Sequence, residues 1–142
     1  MIRSVRNNNP GNLNKGQPWQ GLMPAGYLNP EQAHEDRFAV FKSPEWGFRA
    51  MCVILRNYQT MHGISTVNDV IRRWAPPFEN NTAAYTQAVA REMGVGASDK
   101  LNLLDRETVR KLAKAIARHE TGGWDGLWKD TDLDRGLTLA NF

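Results

Sequence analysis

The stretch DRETVRKLAKAIARHETGG, residues 105–123, carries the clearest helical signal in the chain. Val109, Leu112, Ala113, Ile116 and Ala117 recur at three- and four-residue steps, which places them on one face of an α-helix. Asp105 supplies a cap before the first turn, and Gly122-Gly123 supplies the stop. Carried one step further, the same stripe arrives at Glu120, four residues after Ile116. A carboxylate stands where the pattern calls for another core residue. It also stands at the helix C-terminus, where the aligned peptide dipoles present partial negative charge. Burial and dipole both disfavour the charged form, the combination that turns a glutamate into a general acid near neutral pH. The competing reading is a glutamate that faces solvent or pairs with an arginine, which is common at helix ends. Thr121, Gly122 and Gly123 leave open space beside the carboxylate, which adds a little weight to the first reading without deciding between the two.

Three further helices are expected upstream. Ser43-Pro44-Glu45 starts one that runs to about His62 and stops at Gly63, with Phe48, Met51, Cys52, Leu55 and Tyr58 on its apolar face. A second starts at Ser65 or Thr66, carries Val67, Val70, Ile71 and Trp74, and ends at Pro76-Pro77. A third follows the Asn80-Asn81 cap, carries Tyr85, Val89 and Met93, and closes at Gly94. Residues 1–42 read differently. RNNNPGNLNKGQPW, residues 6–19, strings turn signals together, and RFAVF, residues 37–41, alternates as one short strand. The expected fold class is therefore α+β, mostly α, with a small irregular or β-containing N-terminal lobe beside a helical lobe. The tail from 124 to 142 reads as loose packing or a short final helix. No internal repeat or boundary divides the chain, so residues 1–142 are expected to form a single domain.

Composition narrows the function classes. With 41% hydrophobic and 23% charged residues the chain has the make-up of a globular protein rather than a disordered one. Its net charge of +3 suits an anionic partner without naming it. The single cysteine, Cys52, excludes an internal disulfide and sits in the apolar run AMCVIL, where it reads as a small buried hydrophobe. His34, His62 and His119 lack metal-ligand spacing, so no metal is expected, and no organic cofactor is implied. No apolar run approaches the roughly 20 residues that cross a bilayer. The opening MIRSVRNNNPGNL lacks the apolar core of a secretory signal, so none is expected. A helical DNA-binding module would want a clustered basic face. Arg72, Arg73 and Arg91 are too few for that, with Glu79 and Glu92 among them, so nucleic acid is not the expected partner.

The motifs add a resemblance. IARHETGG is similar to the signature of lysozyme-like transglycosylases and glucosaminidases, where a helix ends in Glu-Ser-Gly and that Glu is the catalytic acid. Asn8-Asn9-Pro10-Gly11, Trp19-Gln20-Gly21, Phe38 to Phe41 with Ser43-Pro44, and Trp74-Ala75-Pro76 with Tyr85 resemble segments of the autolysin and flagellar type of glucosaminidase. There the glutamate helix comes first; here it comes last. The resemblance therefore implies a circularly permuted lysozyme-like domain, which neighbouring chain termini permit. The chain as a whole also resembles a family of small phage proteins often called virion structural proteins. Arg6–Asn12, Ser43–Ala50, Trp74–Thr82 and His119–Gly122 carry that likeness. Trp74 stands where the glucosaminidases have a tyrosine thought to help the chemistry, a departure that speaks against a tyrosine-assisted mechanism.

What the resemblance implies is cleavage of the glycan strand of bacterial peptidoglycan, with Glu120 as the acid. Glycosidases of this kind pair two carboxylates. Glu35 and Asp36, just before the expected strand, stand where a lysozyme-like cleft would need the second, and a solvated charge pair is their competing reading. If no second acid exists, Glu120 acts alone, as acid and then as base. Sugars present apolar faces and hydroxyl edges, which aromatic rings and amides recognise. The expected groove residues are Asn9, Asn12, Trp19, Trp74, Glu79 and Tyr85, with Trp46 and Trp124 as further aromatics near loops. The expected partners are peptidoglycan and other virion proteins. The expected state is a monomer, in a phage virion or a host cell. The rival reading is a non-catalytic virion component that binds the wall or its neighbours.

Overall fold

In the computed structural model, residues 1–77 and 80–142 are described. Helix α1 is Arg3–Arg6, and α2 is Pro30–Ala33, capped by Asn29 in a reciprocal capping box with Gln32. Helix α3 is Pro44–His62, with Pro44 in its first turn and Gly63 ending it at φ 65°. Helix α4 is Val67–Trp74, where the Thr66 side chain accepts from the Asp69 N–H. Helix α5 is Thr82–Met93, capped by Asn81 and ended by Gly94. Helix α6 is Arg106–Thr121, with Asp105 accepting from the Thr108 N–H and Gly122 in the left-handed region. These four long helices follow the boundaries that caps and stops predict. The tail resolves as helix α7, Asp130–Leu139, with Leu133, Gly136 and Leu137 buried.

The core explains the arrangement. Phe48, Leu55, Leu112, Ile116, Leu133 and Leu137 have no exposed surface and bring α3, α6 and α7 together. Trp124 and Trp128, in the link from α6 to α7, pack on Phe48 with ring centroids 5.8 and 5.6 Å away. Trp124 is therefore a core residue rather than a groove aromatic. Helix α7 lies so close to α3 that a Cβ on Gly136 would sit 2.6 Å from the Phe48 Cβ.

The N-terminal region is irregular, as expected, but the anticipated strand over 37–41 does not form. Phe38 and Phe41 make isolated antiparallel bridges to Asn14 and Leu22 instead. The reason lies in the asparagine run. The Ala39 carbonyl accepts from the Asn9 side-chain amide, and the Phe41 carbonyl accepts from that of Asn8, each at 2.9 Å. Side chains thus take acceptors that a neighbouring strand would otherwise use. The fold is mostly helical, and among the described residues β pairing survives only as those bridges. A second, smaller apolar cluster of Ala39, Phe41 and Ala50 holds this region to α3, with Trp19, Leu22 and Trp46 packed on it.

Candidate functional site

Glu120 lies half-buried in the last turn of α6, and two donors from distant parts of the chain meet it. The Tyr85 hydroxyl, on α5, donates to its Oε2 at 2.7 Å. The Asn12 side-chain amide donates to its Oε1 at 3.2 Å, across 108 residues of sequence. Tyr85 is only 2% exposed, and its ring stacks on His119 with centroids 3.7 Å apart. Burial, and then the neighbouring Glu120 charge, push the Tyr85 hydroxyl far above its ordinary range. It stays protonated at any working pH and is a permanent donor. Asn12 holds a left-handed backbone, φ 50°, and its buried Oδ1 has no hydrogen-bond partner among the described residues.

Two clefts open on either side of the carboxylate. One, of about 320 Å³, is lined by Gly11, Asn12, Arg73, Trp74 and Asn80 along with Glu120. The other, of about 220 Å³, is lined by Asn80, Asn81, Tyr85 and His119 along with Glu120. Trp74 forms a wall of the first, its ring set edge-on to Tyr58 at 6.5 Å and tight against Gly11. Among the described residues, Glu120 is the only carboxylate that lines either cleft. A carboxylate therefore stands between two polar, partly aromatic hollows.

The helix end itself is tied down. Thr121, next to Glu120, shares a 2.8 Å hydrogen bond with the buried Ser4 hydroxyl of α1. It also accepts from the Trp128 indole at 3.0 Å. These bonds join three segments next to Glu120 and fix the helix end that carries it.

The expected site residues divide sharply. Glu120, Asn12, Trp74 and Tyr85 come together. Glu35 does not, and the expectation that it serves as a second acid is corrected. Its side chain is fully buried and accepts from Arg3 at 2.6 Å, Arg6 at 2.6 Å and Asn7 at 2.8 Å, as well as from the Arg37 and Phe38 N–H groups. The Arg3 guanidinium holds the carboxyl far below the usual range, against the opposing effect of burial, and the backbone and Asn7 donors add to it. Such a group has no proton to give. Asp36 is exposed and pairs with Arg3 at 3.2 Å, outside both clefts. Asn9 is fully buried, with its amide donating to the Leu13 and Ala39 carbonyls and its Oδ1 accepting from the Leu13 N–H. It builds the loop rather than a groove. Trp19 belongs to the small apolar cluster and lines neither cleft. Glu79 lies outside the described residues. Sequence reasoning missed Arg73, Asn80 and His119. Of these, His119 carried a signal, since it adjoins Glu120 at the end of the same helix.

Among the described residues, the fold and site define a mostly helical protein with one carboxylate set between two clefts and held by donors from the N-terminal loop and from α5. No family model matches it. The chain is 35% identical over 124 residues to Protein P5 of Pseudoalteromonas phage PM2, an alignment that covers 84% of this chain and 71% of the phage protein. It belongs to the family of Protein P5. The expected kinship with phage proteins thus rests on similarity along most of the chain.

Proposed function

We propose that this chain is a phage-associated, lysozyme-like enzyme, circularly permuted, that cuts the glycan strand of bacterial peptidoglycan. One observation carries the reading: Glu120 sits at the junction of two clefts, with Tyr85 and Asn12 fixing its carboxylate. A glycan laid across the junction would place its glycosidic oxygen at that carboxyl group. Trp74 offers an aromatic wall to a sugar face, and Asn80 an amide to its edge.

With Glu35 committed to its arginines, the favoured chemistry uses a single carboxyl group. Glu120 gives its proton to the glycosidic oxygen as the bond to the anomeric carbon breaks. The primary hydroxyl of the same sugar then attacks that carbon and returns its proton to Glu120, leaving an anhydro end and no net use of water. Tyr85 donates to the carboxylate throughout and holds it in place between the two transfers. The protein would act on the cell wall from a virion or from within a host cell, alongside other virion proteins.

A second reading has its own support. Both Glu120 oxygens already accept hydrogen bonds, and the described walls of the clefts hold no second carboxylate. A non-catalytic virion component that binds wall glycan or its neighbours would keep such a site as a scaffold. Digestion of purified peptidoglycan by the wild type and by Glu120→Gln, with products identified by mass spectrometry, separates the two. The enzyme releases anhydro-ended muropeptides and the variant releases none. A folded wild type that releases nothing across pH and salt leaves the binding protein. An equally active Glu120→Gln removes Glu120 from the chemistry.

A further inference from the structure

A third cleft, of about 450 Å³, opens between α4 and α5, away from the Glu120 carboxylate. Asn68, Arg72, Asn80, Asn81, Thr82 and Gln87 line it, so its walls present amides, hydroxyls and a guanidinium. It adjoins the other two. Asn80 lines all three clefts, and Asn81 lines this one and the cleft at Tyr85. The last turn of α4 sends its two consecutive arginines to different places: Arg72 to this cleft and Arg73 to the cleft at Trp74. Arg72 and Gln87 are exposed, and neither has a hydrogen-bond or ion-pair partner among the described residues. Their donors and acceptors face the groove uncommitted.

We propose that the α4–α5 cleft is a distal subsite for the same glycan strand, so that long strands are held more tightly than short ones. This rests on the glycan-cleaving reading of Glu120. A strand passing Trp74 and Glu120 continues over Asn80 into the third cleft. There Gln87 and Asn68 meet hydroxyl and acetamido groups, and Arg72 meets a carboxylate carried on a sugar. Amides that both donate and accept suit such a ligand. A polyphosphate chain suits it less, because each cleft offers few cations and a carboxylate stands at the junction.

The test compares long glycan strands, freed of their stem peptides by an amidase, with a tetrasaccharide of the same sugars. The strands keep a carboxylate on every muramic residue. The double variant Arg72→Gln/Gln87→Ala is expected to raise KM on the strands roughly three- to tenfold, the loss of one or two hydrogen bonds. Its kcat on strands and its KM on the tetrasaccharide stay at the wild-type values. Equal effects on both substrates, or none, overturn the subsite. If the wild type cuts neither substrate, the enzymatic reading fails on its own account. Sedimentation of the same strands with Glu120→Gln, alone and with the double change, then reads the cleft directly. Weaker binding with the double change upholds it, and unchanged binding overturns it.

Discussion

Asn12 and Tyr85 act on one carboxylate in different ways, and substitutions should separate them. Tyr85→Phe keeps the ring that stacks on His119 and removes only the hydroxyl, so the fold should persist. Removing a hydrogen bond to a half-exposed carboxyl group should cost about 1 kcal/mol of stability. Glycan cleavage should fall roughly tenfold to a hundredfold, the range for a lost positioning contact at a reacting group. Full retention of turnover on peptidoglycan by a folded Tyr85→Phe would take the tyrosine out of the site. Asn12 combines a donor with a backbone at φ 50°, which costs a side chain with a Cβ about 1–2 kcal/mol and asparagine less. Asn12→Gly and Asn12→Ala both lose the donor, and both should lose activity alike. Only Asn12→Ala also meets the left-handed strain, so its melting midpoint should lie lower by the equivalent of about 1 kcal/mol. Equal midpoints for the two variants would show that the loop relaxes and that Asn12 is not held in place.

Among the elements, legibility followed chemistry that is local. Helices α3 to α6 each carry a start and a stop in their own residues, from Ser43-Pro44 to Gly63 and from Asp105 to Gly122, and the structure begins and ends them there, although the Ser43 side chain makes no cap bond. Glu120 was legible for the same reason, as a break in a stripe. The strand at 37–41 was misread because the amides that displace its pairing come from Asn8 and Asn9, some thirty residues away. Glu35 was misread in kind: Arg3 and Arg6 are distant in sequence, so nothing local marks it as a structural counter-ion. Helix α7 was half legible, because its packing depends on the absence of a side chain at Gly136. That close approach gives a direct prediction. A Cβ there would meet the Phe48 Cβ at 2.6 Å and the Arg49 amide nitrogen at 2.9 Å, backbone that a side-chain rotation cannot clear. Gly136→Ala should therefore destabilise by about 2 kcal/mol despite the better helix propensity of alanine. Chemical denaturation measures it, and a neutral or stabilising result would mean that α7 can slide on α3.

At the scale of the whole molecule, the site depends on a latch that lies outside it. Glu35 fixes α1 and the segment at 35–38 together through Arg3, Arg6, Asn7 and two backbone donors. The loop from Asn7 to Leu13 hangs from that cluster and carries Asn12 to Glu120, while Ser4 of α1 bonds Thr121. Acid should act on the latch first. The Glu35 carboxyl is depressed in the folded protein relative to about 4.3 in an unfolded chain. A group shifted this way contributes stability that is fully present above the unfolded value and is lost progressively as the pH falls toward the folded one. The wild type should therefore hold the cluster's full contribution at neutral pH and begin to lose it below about pH 5. Glu35→Gln keeps the shape and some hydrogen bonds but not the charge. It should be less stable near pH 7 by about 2 kcal/mol, less than a fully enclosed ion pair because Arg3 is nearly half exposed. Asp105 and Asp130 are also held below their ordinary range, and both proteins share whatever slope they add. The decisive quantity is the gap between the two melting curves from pH 7 to pH 3. It should narrow steadily below about pH 5 as the wild-type carboxyl takes up a proton on unfolding that the glutamine cannot. A gap that stays constant over that range would mean that Glu35 acts through shape alone, and that the site's outer latch does not rest on its charge.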